Sequence, residues 1–72
     1  MNKVNLKNIV WKEGDCYVSW NINTSISSFG DTKKEALESL REALELYFED
    51  TPISQVSEVE QLDIVPSIFE YA

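Results

Sequence analysis

The stretch FGDTKKEALESLREALELYFED, residues 29–50, decides the fold. It predicts one long helix that begins just after Gly30, because Thr32 and Glu35 have the spacing of a capping box. In that motif the Thr32 hydroxyl accepts the N–H of Glu35, and the Glu35 side chain reaches back. Asp31 favours the same end because the helix dipole is positive there. We therefore assign Gly30, Asp31 and Thr32 to structure, as a turn and helix cap.

The predicted helix is amphipathic and has an acidic outer side. It ends at Thr51–Pro52, since proline forces the preceding residue out of helical geometry. Its apolar positions recur at three- and four-residue steps and form one stripe: Ala36, Leu37, Leu40, Ala43, Leu44 and Tyr47. Nearly opposite them, at about 100° per residue, four glutamates share a line: Glu38, Glu42, Glu45 and Glu49.

The residues before the helix predict a three-stranded antiparallel meander over 3–12, 16–22 and 26–29. The middle strand alternates strictly, which indicates one buried and one exposed face. We expect its apolar set, with Trp20, to lie in the core, and Tyr17 to lie on the face that the helix leaves uncovered. The apolar set is Cys16, Val18, Trp20 and Ile22, and the other set is Tyr17, Ser19 and Asn21.

The residues after the helix predict a linker at 53–61 and a fourth strand within 62–71. Pro66 has no N–H to donate to a hydrogen bond between strands, so we place the regular part of that strand at 67–71. The expected fold class is therefore α+β in the order β-β-β-α-β, with one helix packed on one face of a four-stranded sheet. The other face must be solvated, or packed against another copy or a partner.

Length and composition exclude several functions. The chain has 72 residues, enough for one domain, and a net charge of −7, which argues against a bare nucleic-acid binder. It has no His, so the usual general base and the commonest metal ligand are missing. A single cysteine and the lack of a long apolar run predict a cytoplasmic protein outside the membrane. Seven acids against three bases fall in 31–50, and four acids with no base fall in 51–72.

Candidate sites for chemistry are weak, whereas candidate binding residues are stronger. Cys16 lies on the apolar phase of a strand, where a small buried thiol is the common outcome. The first strand offers no carboxylate for a metal site, so we expect no enzyme activity, no metal and no cofactor. The four glutamates form either a solvated helix face or a docking surface for a basic partner. Aromatic residues are enriched at interface centres, which makes three of them candidate anchors: Trp11, Tyr17 and Phe29.

Two motifs carry a resemblance to a known family. YVSW at 17–20, followed by SFGDTKKEALESLREALELYFE at 28–49, resembles the HicB antitoxins of type II toxin–antitoxin systems. The match covers about 9–50, and the Gly-Asp-Thr junction with the helix is its most specific part. The resemblance implies a partial RNase H-like fold. It also implies that the chain binds and sterically neutralises a small basic HicA-type toxin, an mRNA-cleaving ribonuclease.

The sequence also departs from the HicB pattern. Residues 21–25 replace a Pro- and Gly-rich loop, and the 22 residues after the helix carry no Lys or Arg. We therefore expect residues 1–72 to form a single HicB-like domain with no appended DNA-binding domain and no direct nucleic-acid binding by this chain alone. We also expect a homodimer or higher homo-oligomer. The alternative function is a small self-associating adaptor without a toxin partner, and a metal-dependent nuclease is disfavoured.

Overall fold

The structure, a computed structural model, describes residues 4–72 and has an α+β fold. Three antiparallel strands form one sheet in the order β1-β2-β3, and one long helix packs on it. The predicted meander and helix are confirmed, although residue 3 of the predicted first strand lies outside the described range. The elements are β1 (Asn8–Glu13), β2 (Cys16–Asn21), β3 (Ser27–Gly30), α1 (Lys33–Asp50) and a short 3-10 helix (Ile53–Gln55).

A tight hairpin fixes the register of β1 and β2. Glu13 lies opposite Cys16, and Gly14 in the turn between them has a φ of 61°. Glycine reaches this left-handed region without steric cost. The register then places Trp11 opposite Val18, and Val18 opposite Phe29 of β3.

Both ends of α1 follow the sequence signals. The Glu35 N–H donates to the Thr32 hydroxyl at 3.1 Å, and the Glu35 carboxylate accepts the N–H of Asp31 at 3.0 Å. These bonds satisfy donors that have no partner within the helix. At the other end Thr51 is the C-cap and is extended, as expected of a residue before proline. The predicted cap and stop are confirmed.

Small residues let α1 approach the sheet closely. The Ser19 hydroxyl of β2 donates to the Ala36 carbonyl of α1 at 2.7 Å, and both residues are fully buried. A Cβ added to Gly30 would lie 2.6 Å from the Ala36 nitrogen, a distance that nonbonded Cβ atoms in proteins essentially never show. The buried hydrophobic core in the described part of the chain is small and consists of Ala36, Leu40 and Leu44.

This contact shows that the expected orientation of β2 was wrong. Because Ser19 meets α1, the alternation of the strand turns Tyr17 and Asn21 toward the helix and Trp20 away from it. Trp20 is 40% exposed and is not a core residue, and Tyr17 is half-buried on the helix side. The members of the predicted core-facing set that lie in β2, namely Cys16, Val18 and Trp20, are therefore on the uncovered face of the sheet.

Asn21 can be buried because its side chain is fully used. Its carbonyl oxygen accepts from the Thr24 N–H at 2.9 Å and the Thr24 hydroxyl at 2.8 Å. Its amide donates to the Asn8 side chain at 2.7 Å. A buried polar group is tolerated when it is hydrogen-bonded, and here the bonds tie the β2–β3 loop to β1.

The fourth strand predicted at 67–71 is not formed in the structure. After the 3-10 helix, the Asn23 side chain donates to the Ser57 carbonyl at 2.6 Å, so the chain runs beside the start of β1. Residues 61–72 then continue exposed and unpaired. Pro66 lacks a donor, and this stretch has no strand beside it to pair with. No helix in residues 4–72 has the length and apolar character needed to cross a bilayer.

Replacement of Gly30 tests the close approach of α1. Gly30→Ala should lower the free energy of unfolding by about 1–3 kcal/mol, because α1 must move away from the added methyl group. Thermal unfolding followed by circular dichroism at one fixed protein concentration measures the change. Gly14→Asn is the control, since nothing lies within 4 Å of a Cβ there and Asn tolerates positive φ. Equal losses in the two variants would contradict the packing described here.

Candidate protein-binding surfaces

The four predicted glutamates form an exposed acidic stripe on α1. Glu38, Glu42, Glu45 and Glu49 are all exposed, and they lie on the side of the helix away from the core. Two i,i+4 ion pairs relieve part of the charge: Lys34 Nζ lies 4.0 Å from Glu38, and Arg41 Nε lies 3.3 Å from Glu45. Within residues 4–72, Glu42 and Glu49 have no ion-pair partner.

An acidic groove joins part of this stripe to the edge of the sheet. The groove has a volume of about 350 Å³ and lies between α1 and the end of β3. Phe29 lines the sheet end of the groove and is 72% exposed, but strand register turns its side chain to the side of the sheet that α1 does not cover. The lining residues are Phe29, Gly30, Asp31, Glu35, Glu38, Ser39 and Glu42.

The second surface is the uncovered side of the sheet, which we call the open face. Strand register places five large apolar residues on it, together with the smaller Cys16: Ile9, Trp11, Val18, Trp20 and Phe29. Trp11 and Trp20 are 39% and 40% exposed, although tryptophan is among the residues most often withdrawn from water. Large exposed apolar patches on soluble proteins mark interaction sites.

The structure separates the predicted binding residues into two groups. Phe29 lines one end of the acidic groove with Glu38 and Glu42, but its side chain shares the open face with Trp11. Trp11 and the acidic stripe lie on opposite sides of the molecule, because the helix covers only the other face of the sheet. Tyr17 belongs to neither surface, since it faces α1.

Sequence reasoning missed three residues of the open face, namely Ile9, Val18 and Trp20. The strict alternation of 16–22 already grouped Val18 with Trp20. The sequence did not indicate which side of the sheet the helix covers. Ser19 indicates that side through its hydrogen bond to Ala36, which is 17 residues away in sequence.

A third surface is an apolar groove between α1 and the beginning of β1. Its volume is about 600 Å³, and it exists because α1 packs mainly on β3 and β2 and touches β1 less. The apolar groove is lined by Leu6, Asn8, Leu37, Arg41, Leu44, Glu45, Phe48, Glu49 and Ile53. In the described residues, no three Cys, Asp or Glu side chains converge as metal ligands would.

The comparison with protein families assigns the chain to one of them. A family model described as a family of unknown function, DUF7387, matches residues 2–70. The chain belongs to this family. The DUF7387 match extends over the sheet, α1 and most of the exposed closing segment. No curated protein and no solved structure matches the chain.

A charge reversal on the acidic stripe tests its electrostatic strain. Glu42→Lys should raise the free energy of unfolding by about 0.5–1 kcal/mol at low salt, because it replaces repulsion from Glu38 with an i,i+4 attraction. Urea unfolding at low and high salt measures this gain. Glu42→Gln is the matched control and should give about half the gain, since it only removes repulsion. Identical stability of all three proteins at low salt would contradict a strained stripe.

Proposed function

We propose that the chain is a non-enzymatic, HicB-like antitoxin of the cytoplasm that binds and sterically neutralises a small basic HicA-type mRNA-cleaving toxin. The observation that carries this proposal is the acidic stripe with its adjoining groove. Sequence support comes from the Gly-Asp-Thr junction and helix pattern over 28–49, and from the single cysteine, which suits a reducing compartment.

The chemistry of such inhibition is competition for cations. A ribonuclease holds phosphate with Lys and Arg, and carboxylates on a rigid helix compete for the same side chains. Glu42 and Glu49 suit this role because no cation within residues 4–72 neutralises them. The negative field of α1 would also steer a basic protein toward this side.

Phe29 lies at the boundary between the proposed toxin site and the open face. It lines the sheet end of the groove and is 72% exposed, whereas strand register turns its ring to the side of the sheet that α1 does not cover. We therefore assign toxin contact to the stripe and its groove, and leave the rings of Phe29 and Trp11 to the open face.

We further propose that residues 67–71 become the fourth strand of an RNase H-like sheet when the partner is bound. The free edge of β1 and the apolar groove beside it offer a site for this strand. Residues 58–60 already run beside Asn5 and Lys7. Ile68 and Phe69 are more than 90% exposed, and pairing here would cover such side chains.

A second candidate function is that of a small self-associating adaptor without a toxin partner. The observation that favours it is the open face, whose apolar side chains need a cover. The two functions are compatible because the acidic stripe and the open face lie on opposite sides of the molecule.

Titration with a toxin tests the main proposal. If an adjacent reading frame encodes a small Lys-rich, His-containing protein, that protein is the probe, purified with its His replaced by Ala. The double variant Glu38→Lys/Glu42→Lys should weaken binding about 10- to 100-fold, and binding should fall with salt. Isothermal titration calorimetry at two salt concentrations measures both effects.

The control must carry the same change in net charge away from the stripe. Glu58→Lys/Glu60→Lys meets this condition, since both residues are exposed beside the start of β1. Equal losses in the two double variants would mean that net charge alone acts. The absence of binding at low salt, or of any such neighbouring gene, would refute the antitoxin proposal.

Hydrogen exchange tests the proposed fourth strand. The backbone amides of residues 67–71 should exchange rapidly in the free chain and become protected in the toxin complex, because ladder hydrogen bonds slow exchange. Amides of α1 serve as an internal reference that is protected in both states. Rapid exchange at 67–71 in a saturated complex would show that the segment remains unpaired.

A further inference from the structure

We infer that the open face is the interface of a homodimer, in which two copies of this chain pack sheet against sheet with their α1 helices outward. This inference needs no toxin, and it deepens the adaptor alternative, on which it rests, by naming a second copy of this chain as the occupant of the open face. It rests on the side chains of the face, the distribution of charge and the surface area.

The side chains of the open face suit contact with a second sheet. Two rows cross the strands: Trp11, Val18 and Phe29 form one row, and Ile9 and Trp20 lie in the next. Sheets that pack face to face interdigitate apolar side chains from their inner faces. The register places Val18 in the middle of this patch, where a two-fold axis would bring the two apolar faces together.

The charge distribution selects a second copy over a basic partner. Strands β2 and β3 contain no charged residue; in β1, Glu13 beside the hairpin shares this face, whereas Lys12 points to the other side. The −7 charge comes mainly from α1 and the closing segment. Two copies that meet through their open faces therefore keep their acidic stripes far apart, so repulsion between them is weak.

The chain also exposes more surface than a compact monomer of its mass, in part because residues 61–72 are all exposed. The chain exposes 6309 Å², whereas a folded monomer of 8.3 kDa should expose about 4,600 Å². Burial of about 800 Å² per partner is enough for a standard protein interface. The open face and the exposed closing segment both contribute to the excess. Only three hydrophobic residues are buried in the described part of the chain. A domain with so small a core gains stability from association with a second copy.

A dimer of this geometry presents two acidic stripes on opposite outer sides. Each stripe remains accessible because α1 points away from the interface. The assembly would thus offer two independent sites for a basic protein. Occupation of one site would leave the other site free.

Sedimentation equilibrium of the purified full chain tests the homodimer. From low to several hundred micromolar, the wild-type mass should rise to twice 8.3 kDa. Val18→Lys should raise the dissociation constant more than about 100-fold, since each copy would bury an unpaired charge. Trp emission should shift to the red on dilution, because both tryptophans lie on the open face.

Control variants distinguish loss of the dimer interface from unfolding of the chain. Leu46→Lys introduces the same charge at an exposed apolar residue of α1 and should leave dimerisation unchanged. Phe29→Lys is the second test variant, since its ring is 72% exposed and its replacement should leave the monomer folded. Circular dichroism verifies that each variant keeps its helix.

Several results would overturn the homodimer. A wild-type mass of one chain at every concentration would do so. Equal effects of Val18→Lys and Leu46→Lys on the dissociation constant of the dimer would do so as well. A monomer whose Trp emission changes with Phe69→Lys would show that the closing segment of the same chain covers the face. A monomer that still binds the toxin through the stripe refutes only the dimer, and a dimer without toxin binding refutes only the antitoxin.

Discussion

The close approach of α1 to β2 and β3 is the constraint on which the structure depends. Ser19, Gly30 and Ala36 are small enough for the helix to lie against the sheet, and the Ser19 hydroxyl bonds to a helix carbonyl at 2.7 Å. This contact determines which side of the sheet the helix covers. It leaves the aromatic side of the sheet in water, and every surface that we assign to a partner follows from that choice.

The elements themselves could be predicted from local sequence. The Thr32 cap and the proline at position 52 act on neighbouring residues, so they indicate the ends of α1 without knowledge of the fold. The acidic stripe also follows from sequence, since helical periodicity fixes which residues share a side. Phe29 lines the groove next to the stripe because it directly precedes Gly30, where the chain turns into the helix.

The covered side of the sheet could not be predicted in the same way. Alternation over 16–22 divides the strand into two sets but does not say which set meets the helix. Hydrophobicity favoured the set with Trp20, whereas the structure buries Ser19, which bonds to Ala36, and Asn21, which bonds to Asn8 and Thr24. The closing segment is a similar case. Its apolar residues suggest a strand, but local sequence does not determine whether the segment pairs with the free edge of β1.

The exposure of the acidic stripe has a consequence for how this scaffold evolves. Its glutamates contribute no packing to the core, and their mutual repulsion makes several substitutions favourable for folding. Mutations there can therefore exchange one ligand for another while the backbone stays the same. The scaffold separates recognition from architecture, so a lineage can diversify its targets without redesigning the fold.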